Sequence, residues 1–262
     1  MRVGIISGSG SYQWPGLDDA VPQRLPTCYG TVEATTGTVA GVDVVHVSRH
    51  GAGHLRLSNH VQHKANLAAL RDAGVAVVVS LTLCGALDPA IEAGSVIAFD
   101  DLYFPGNRLP DGTPCTWYDT PGEAGRGHWI FDRPMSEPLR RALLDAAHTV
   151  RVPMVDGGCY GHVEGPRFNS RAEIAALRAV GVSAVSQTAG PEVVLAGEAE
   201  LPLAVLGFVT DHATGVLPAP VPVGRLVELM QASTQIFAAV VNAALPAITD
   251  PPAPGFVYRF ES

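Results

Sequence analysis

Residues 75–81 form a run of apolar side chains interrupted only by Ser80. A strand carries such a run where both faces of its sheet are covered, as in the centre of an α/β sheet. The run is too short to cross a membrane, which takes about 20 apolar residues. We therefore predict a central strand covered by helices on both faces, which directs the rest of the chain toward an α/β fold.

Segments with strand-like and helix-like patterns follow one another along the chain. Short β-branched or apolar segments predict strands at residues 3–7, within 32–48, and at 95–101, 182–185 and 202–210. Apolar residues at helical spacing predict helices at residues 58–73, 136–151, 170–181, 193–200 and 223–245. Ser170 and Glu173 have the spacing of a capping box, which gives Glu173 a structural role.

The length of 262 residues and the hydrophobic content of 47% fit one large domain. We assign residues 1–250 to it and treat the Pro-rich tail, residues 251–262, as a surface extension or a subunit contact. The net charge of −8 argues against a general nucleic-acid binder, which would carry a basic face. We expect no interaction with nucleic acid or membrane, because no segment has the pattern of a signal peptide or a membrane span.

The four cysteines are Cys28, Cys84, Cys115 and Cys159, and they are scattered without the spacing of a metal site. Free thiols in a reducing cytoplasm are the expectation. The long loop at residues 104–133 is rich in Gly, Pro and aromatic residues, which is typical of a functional segment or an interface.

Polar side chains follow several of the predicted strands, where ligands gather in open α/β sheets. Residues 186–188, Ser-Gln-Thr, lie between a predicted strand and a predicted helix, and we expect Gln187 and Thr188 to face a substrate. Ser9 lies in a Gly-rich turn that is either an anion cradle or an ordinary tight turn. Arg49, beside His50, offers a planar fork for an oxyanion, although an exposed basic loop has the same pattern.

Three further strand-end segments have both a functional and a structural interpretation. Thr82 brings a hydroxyl to the end of the central strand. Asp211 follows the strand at residues 202–210 and is either a proton donor or a turn cap. Residues 156–169 are rich in glycine, so Phe168 either stacks on a flat ligand or lies in the core beside a hairpin.

Taken together, seven segments resemble the 5′-methylthioadenosine phosphorylase branch of the trimeric purine nucleoside phosphorylases. The resemblance covers residues 3–245, in the same order along the chain. The matching segments are Gly4-Ile5-Ile6-Ser7-Gly8-Ser9-Gly10, Ser48-Arg49-His50-Gly51, Ala65-Asn66-Leu67-Ala68-Ala69-Leu70, Cys84-Gly85-Ala86-Leu87, Glu164-Gly165-Pro166-Arg167-Phe168 with Arg171-Ala172-Glu173, Pro191-Glu192-Val193-Val194-Leu195-Ala196 and Thr210-Asp211.

The resemblance implies a single α/β domain with a central, mixed, twisted sheet flanked by helices. It implies that phosphate cleaves the N-glycosidic bond of a purine nucleoside, in a cytoplasmic homotrimer that needs no metal or organic cofactor. The implied phosphate site is Ser9, Arg49, His50, Thr82 and Thr188, and the implied catalytic residues are Asp211, Arg49 and His50. The implied base and ribose contacts are Leu83, Cys84, Gly85, Phe168, Asn169, Gln187, Asp211 and Ala213.

The chain departs from the family pattern at positions that bear on the substrate. Ser186 and Gln187 stand where members usually carry Asn and Met, so an amide replaces a thioether at the sugar. Ala213 stands where adenosine-type enzymes have a second acid, while Asp211 differs from the Asn of 6-oxopurine enzymes. The loop that in the family closes the 5′ side from a neighbouring subunit falls on a polar stretch that includes Phe131-Asp132-Arg133, where a methylthio group would prefer an apolar wall.

Three other functions compete with purine nucleoside phosphorolysis. A hydrolase on the same scaffold would use water, but the retained Arg49, Thr82 and Thr188 favour phosphate. A nucleoside-binding protein with reduced turnover would not need Asp211 together with a phosphate set. A phosphorylase of an unusual nucleoside, in secondary metabolism, is compatible with the altered sugar position.

Overall fold

The computed structural model describes residues 1–260, in which a mixed sheet of eleven strands lies between helices. The strands are β1 Arg2–Ser7, β2 Asp18–Thr27, β3 Gly30–Val39, β4 Val42–Ser48, β5 Val77–Ala86, β6 Val96–Ala98, β7 Asp101–Tyr103, β8 Gly127–Ile130, β9 Met154–Asp156, β10 Cys159–His162, β11 Val182–Ser186, β12 Leu203–His212 and β13 Phe256–Arg259. The helices are α1 His63–Asp72, α2 Glu137–Val150, α3 Arg171–Ala179, α4 Ala189–Glu198 and α5 Val223–Ala244. The predicted α/β architecture with a mixed central sheet is confirmed.

Strand β5 is the central strand that the apolar run predicts. It pairs in parallel with β1 and β12, and its last residues pair antiparallel with β11. Its side chains alternate between two buried layers, with Val78 among residues of α1 and α4, and Val77 and Val79 among residues of α2 and α5. Both faces are therefore covered, which is why the run contains almost no polar residue.

Strands β5 and β12 extend further than the sequence predicts. Pairing between them continues to Ala86 and His212, with an irregularity between Val209 and Asp211. The prediction that Thr82 and Asp211 follow the ends of their strands is therefore wrong. Backbone pairing, which the apolar pattern does not record, keeps both strands extended beyond their apolar residues.

Several element boundaries also differ from the predictions. Helix α1 begins at His63 after a short 3-10 turn at Ser58–His60, and α4 begins at Ala189. The strand predicted at 95–101 is reduced to β6, and β9 and β10 do not form a hairpin, because they pair with β6 and with β11 and β7. The capping box of Ser170 and Glu173 at α3 is confirmed.

The residues after 250 form part of a second, two-stranded sheet. Strand β13 pairs antiparallel with β8, and Trp129 Nε1 donates a hydrogen bond to Pro254 O at 2.8 Å. Val257 is buried in this sheet. Proline composition alone does not predict the strand, since its partner lies more than a hundred residues earlier. Within residues 1–260, no helix combines the length and apolar character needed to cross a membrane.

Candidate active site

A cavity of about 580 Å³ opens at the carboxyl ends of the parallel strands β1, β4, β5 and β12. Ser7 and Ser48 are paired at the ends of β1 and β4, which brings Ser9 and Arg49 to the same edge. Twelve of the thirteen site residues predicted from the sequence line this cavity, namely Ser9, Arg49, His50, Thr82, Leu83, Cys84, Gly85, Phe168, Asn169, Gln187, Asp211 and Ala213. Thr188 lies behind its wall and is buried.

The Arg49 guanidinium has no exposed surface, and most of its donors are engaged by the protein. Nε and Nη2 donate to the two carboxylate oxygens of Glu192 at 2.7 and 2.8 Å. Nη1 donates to Leu81 O at 2.6 Å, and Nη2 also donates to Ser80 Oγ at 3.1 Å. The expectation that the planar fork of Arg49 binds an oxyanion is therefore wrong, because Glu192 occupies the fork.

One N–H group of Arg49 has no protein acceptor within the described residues. A guanidinium has five N–H groups, and these contacts use four of them. The fifth is on Nη1, which lies so close to Gly8 that a Cβ added at that glycine would be 2.9 Å away. Arg49 therefore presents a single N–H, in a fixed orientation, beside the turn that carries Ser9.

Buried Glu192 is the partner that fixes Arg49. Burial alone would raise the pKa of its carboxyl, but the adjacent charge of Arg49 outweighs burial and lowers the pKa to about 2. Ser80 Oγ donates to the same carboxylate at 2.6 Å, and His63 Nδ1 is 3.7 Å from it. Sequence analysis did not identify Glu192 as a site residue, because it follows a proline within a helix pattern.

A cluster of hydroxyl groups lies beside Arg49. Because β11 runs antiparallel to β5, its end returns toward the middle of β5, and Ser186 Oγ lies 2.7 Å from Thr82 Oγ1. Thr188 Oγ1 is 3.5 Å from Thr82 Oγ1. Tyr160 Oη accepts hydrogen bonds from the backbone N–H groups of Thr188 and Ala189 at 3.4 and 3.0 Å. Ser186 and Tyr160 are further site residues that the sequence analysis did not select.

His50 is held as a neutral ring with a defined tautomer. Burial, together with the neighbouring charge of Arg49, lowers the pKa of His50 to about 4. Nδ1 lies 2.8 Å from Arg56 O, and a carbonyl can only accept, so Nδ1 carries the proton. His54 stacks on the ring with centroids 4.3 Å apart. The other nitrogen, Nε2, is therefore a hydrogen-bond acceptor.

Asp211 is a carboxyl group suited to holding a proton. Burial raises its pKa, against the effect of Thr210 Oγ1, which donates to Oδ1 at 2.9 Å. Ala213, two residues after Asp211, is buried. Its Cβ lies 3.6 Å from the position of a Cβ added at Gly85. The carboxyl of Asp211 thus has an apolar neighbour at residue 213.

The opposite wall is formed by the loop at residues 164–169. Phe168 is 72% exposed and lines the cavity, so the alternative that placed it in the core is wrong. Asn169 lines the cavity beside it. Cys84 contributes to this cavity from a buried position, with its Sγ close to Gly207, and burial raises the pKa of its thiol.

The Gln187 side chain is bonded to protein groups on two sides. Its Oε1 accepts from Ser58 Oγ at 2.8 Å, and its Nε2 donates to Arg167 O at 3.1 Å. A second cavity of about 140 Å³ lies on the far side of this amide. Among residues 1–260, no group of three His, Cys, Asp or Glu side chains is arranged to hold a metal ion.

Residues 2–246 match the family model described as "Phosphorylase superfamily". The chain is 32% identical over 252 residues to a 6-oxopurine nucleoside phosphorylase of Pyrococcus furiosus, covering 94% of this chain and 93% of that protein. It is 37% identical over 216 residues to an S-methyl-5′-thioadenosine phosphorylase of Mycobacterium tuberculosis, covering 82% and 76%. The structure is also similar to methylthioadenosine phosphorylase from Schistosoma mansoni in complex with adenine, with a TM-score of 0.86, 26% identity and coverage of 94% and 91%.

Proposed function

This chain belongs to the phosphorylase superfamily, and we propose on that premise that it catalyses phosphorolysis of the N-glycosidic bond of a purine nucleoside. The products are the free purine and a ribose 1-phosphate, with or without a modified 5 position. One observation carries the proposal: a set of anion-binding groups and a carboxyl with a raised pKa line the same cavity. This makes the chain a pentosyltransferase.

The phosphate end of the cavity supports a tightly oriented nucleophile. In this proposal Ser9 and the remaining N–H of Arg49 donate to phosphate oxygens, and Thr82 and Thr188 form the hydroxyl cluster beside them. His50 Nε2 accepts, so it suits the P–OH group of hydrogen phosphate. The net charge contributed by the Arg49 and Glu192 pair is zero, so orientation contributes more to phosphate binding than charge does.

The base end supplies the proton for the leaving group. A phosphate oxygen forms a bond to C1′ as the bond from C1′ to N9 breaks, and the electron pair of that bond goes to the purine. Burial raises the pKa of Asp211, which favours the carboxyl form that can donate its proton to N7 and stabilise the departing base. The P–OH proton is released through His50, so the proton lost by Asp211 is replaced overall. The reaction therefore requires phosphate as co-substrate and no metal or organic cofactor.

The proposed base is a 6-oxopurine. A 6-amino group is a hydrogen-bond donor that needs an acceptor, and the second acid that would serve beside Asp211 is replaced by buried Ala213. A 6-oxo group needs a donor, and the Asn169 amide lines the same cavity. The relative from Pyrococcus furiosus is named for this class of substrate. Leu83, Cys84, Gly85 and Phe168 provide the apolar surfaces for the ring.

The remaining wall of the cavity is apolar, which suits an apolar 5′ substituent. It is formed by Leu57, Leu217, Pro218, Ala219, Pro220, Val221, Leu226 and Met230. Residues 131–133, which the resemblance places at the site of a neighbouring subunit, do not line the cavity of their own chain within residues 1–260. With phosphate and base at the other walls, the 5′ group of the sugar is the part of the substrate that faces this surface.

The homotrimer and the cytoplasmic location complete the proposal. The trimer rests on the resemblance to trimeric nucleoside phosphorylases, and light scattering of the purified chain at about three times its monomer mass of 27.4 kDa tests it. The cytoplasmic location rests on the four scattered cysteines, which are unpaired in the described structure. It stays a prediction.

The decisive experiment measures release of free base with and without phosphate. Inosine, guanosine, adenosine, a 2′-deoxynucleoside, 5′-methylthioinosine and 5′-methylthioadenosine are compared at equal concentration. We expect release to require phosphate, to be faster with the oxo than with the amino purine, and to tolerate the methylthio group. Release that is undiminished in phosphate-free buffer would establish a hydrolase, and tight binding without release would establish a nucleoside-binding protein.

A further inference from the structure

The amide of Gln187 bridges two segments that lie far apart in the sequence. It accepts from the hydroxyl of Ser58, 129 residues earlier, at 2.8 Å. It donates to the carbonyl of Arg167 at 3.1 Å. Ser58 is buried and lies in the turn before α1, whereas Arg167 lies in the loop whose next two residues line the proposed base site. Gln187 therefore connects the base-site loop to the body of the domain.

The chain leaves little space around this bridge. A Cβ added at Gly165 would overlap both Gln187 Oε1 and Ser58 Oγ, so only glycine fits where the three segments meet. Gln187, Ser58 and Gly165 also line the second cavity, so the bridge forms part of the partition between it and the main cavity. A methionine at residue 187 could fill the volume but could not make either hydrogen bond.

The loop has a second attachment on its other side. Arg167 Nη1 and Nη2 donate to the two carboxylate oxygens of Glu173 at 2.9 and 2.7 Å, and Glu173 also belongs to the capping box of α3. This ion pair holds the end of the Arg167 side chain, whereas Gln187 holds the backbone carbonyl of the loop. The hydrogen bond from Gln187 is the attachment that faces the cavity. Loss of this bond would free the backbone directly before Phe168 and Asn169.

We propose that Gln187 and Ser58 are positioning residues that act through the loop at residues 164–169 and thereby set the affinity for the purine base. The role deepens the proposed function, on which it rests, because it concerns the base site of that reaction. Gln187 acts on the substrate through the loop backbone rather than by contact with the sugar. Ser58, which lies outside every motif of the sequence, becomes a determinant of substrate affinity.

Binding of free base separates positioning from sugar contact. A residue that touches only ribose affects the nucleoside and leaves the free base unaffected. A residue that positions the base-site loop affects both to the same extent. The probes are hypoxanthine and inosine, with affinity for hypoxanthine measured by calorimetry and KM measured for inosine and for phosphate. Binding of hypoxanthine needs no turnover, so this measurement tests the bridge even if the wild-type chain does not release base. Absence of base release would refute the proposed function and not the role of the bridge.

The variants are Gln187→Met, Ser58→Ala and the double variant. The loss of a neutral hydrogen bond predicts about 3- to 10-fold weaker binding of hypoxanthine, and an equal rise in KM for inosine. KM for phosphate stays at the wild-type value. Since both residues form one bridge, the double variant is no worse than the more affected single variant.

Asn59→Ala is the matched control, because Asn59 is the exposed neighbour of Ser58 and lines only the second cavity. This variant leaves the affinity for hypoxanthine and the KM values for inosine and phosphate unchanged. Thermal unfolding tests whether each variant is folded. Four results overturn the proposal. The first two are a rise in KM for inosine with unchanged hypoxanthine affinity, and an additive double variant. The others are an equal rise in KM for phosphate, and unchanged values in both single variants.

Discussion

Arg49 and Glu192 form a bidentate ion pair in which neither side chain has exposed surface. A buried pair of this kind fixes geometry, because each charge is stable only while its partner is in place. At a site that binds phosphate, the pair also limits the positive charge available to the ligand. Glu192 therefore sets the direction of the one N–H group of Arg49 that has no acceptor within the described residues.

Glu192→Gln keeps the volume of the side chain and removes its charge. An amide nitrogen would then face an Arg49 donor, so the ion pair is broken and the guanidinium loses its orientation. Breaking a buried pair costs about 3–5 kcal/mol in the free energy of unfolding. We expect a loss of this size in denaturant unfolding and a higher KM for phosphate. The same substitution in the exposed pair of Arg24 and Glu33, Glu33→Gln, costs about 0–1 kcal/mol and leaves KM unchanged. A Glu192→Gln variant with wild-type stability and KM would contradict the positioning role.

The sequence predicted the central strands and the start of α3 because their signals are local. The apolar run before Thr82 indicates a buried strand, and the capping box at Ser170 indicates hydrogen bonds to a residue three positions away. Both patterns lie within a few residues. The contacts that shape the site are different, since Arg49 and Glu192 lie 143 residues apart. An arginine next to glycines indicates an anion site equally well whether or not an acid occupies its fork. The pairing of β13 with β8 escaped prediction for the same reason.

The raised pKa of Asp211 gives a prediction about the alkaline limb of activity. In the proposed mechanism the protonated carboxyl is the active form, so kcat/KM falls as pH rises through the raised pKa. Asp211→Ala removes the proton donor, and kcat falls by about 10²- to 10⁴-fold. Asp211→Asn can still donate to N7 but does not titrate, so its pH–rate profile lacks this limb. Profiles of wild type and both variants, measured at saturating phosphate, test this.

Thr210→Val is the control for that experiment. It removes the hydroxyl that donates to Asp211 at 2.9 Å, a contact that stabilises the ionised form, so it moves the alkaline limb to higher pH. A limb of unchanged position in all three variants would assign it to a different group. In that case Asp211 is a turn residue and not the proton donor.

Buried neutral histidines predict a loss of stability in mild acid. Burial lowers the pKa of His46 to about 4 and that of His162 to about 3, the latter aided by the nearby charge of His63 and opposed by Glu192. In the unfolded chain both titrate near the usual value of about 6.5. Below that pH the unfolded state binds protons that the native state does not. Stability is thus fully present above about pH 6.5 and falls as pH is lowered toward the native pKa values.

Each such histidine adds up to about 1.4 kcal/mol per pH unit to the fall in the free energy of unfolding as the pH is lowered. His162→Phe suits the site, because the ring packs edge-on to Phe104 and its Nδ1 has no hydrogen-bond partner within the described structure. We expect a shallower decline of the unfolding free energy between pH 6 and about pH 4.5. Exposed His60→Phe leaves the slope unchanged. An equal slope in His162→Phe and wild type would show that His162 is protonated in the native state.

Substitution of Ala213 tests how the site selects between 6-oxo and 6-amino purines. Ala213→Asp supplies an acceptor for a 6-amino group beside Asp211, and it repels the lone pairs of a 6-oxo group. We expect the ratio of kcat/KM for adenosine to that for inosine to rise by about tenfold or more, the equivalent of one well-placed hydrogen bond. Ala219→Asp adds the same charge at the apolar wall of the cavity and leaves the ratio unchanged. If both variants lose activity with an unchanged ratio, residue 213 does not recognise position 6 of the purine. Selectivity between the two bases would then fall to another polar residue of the cavity, with Asn169 as the candidate.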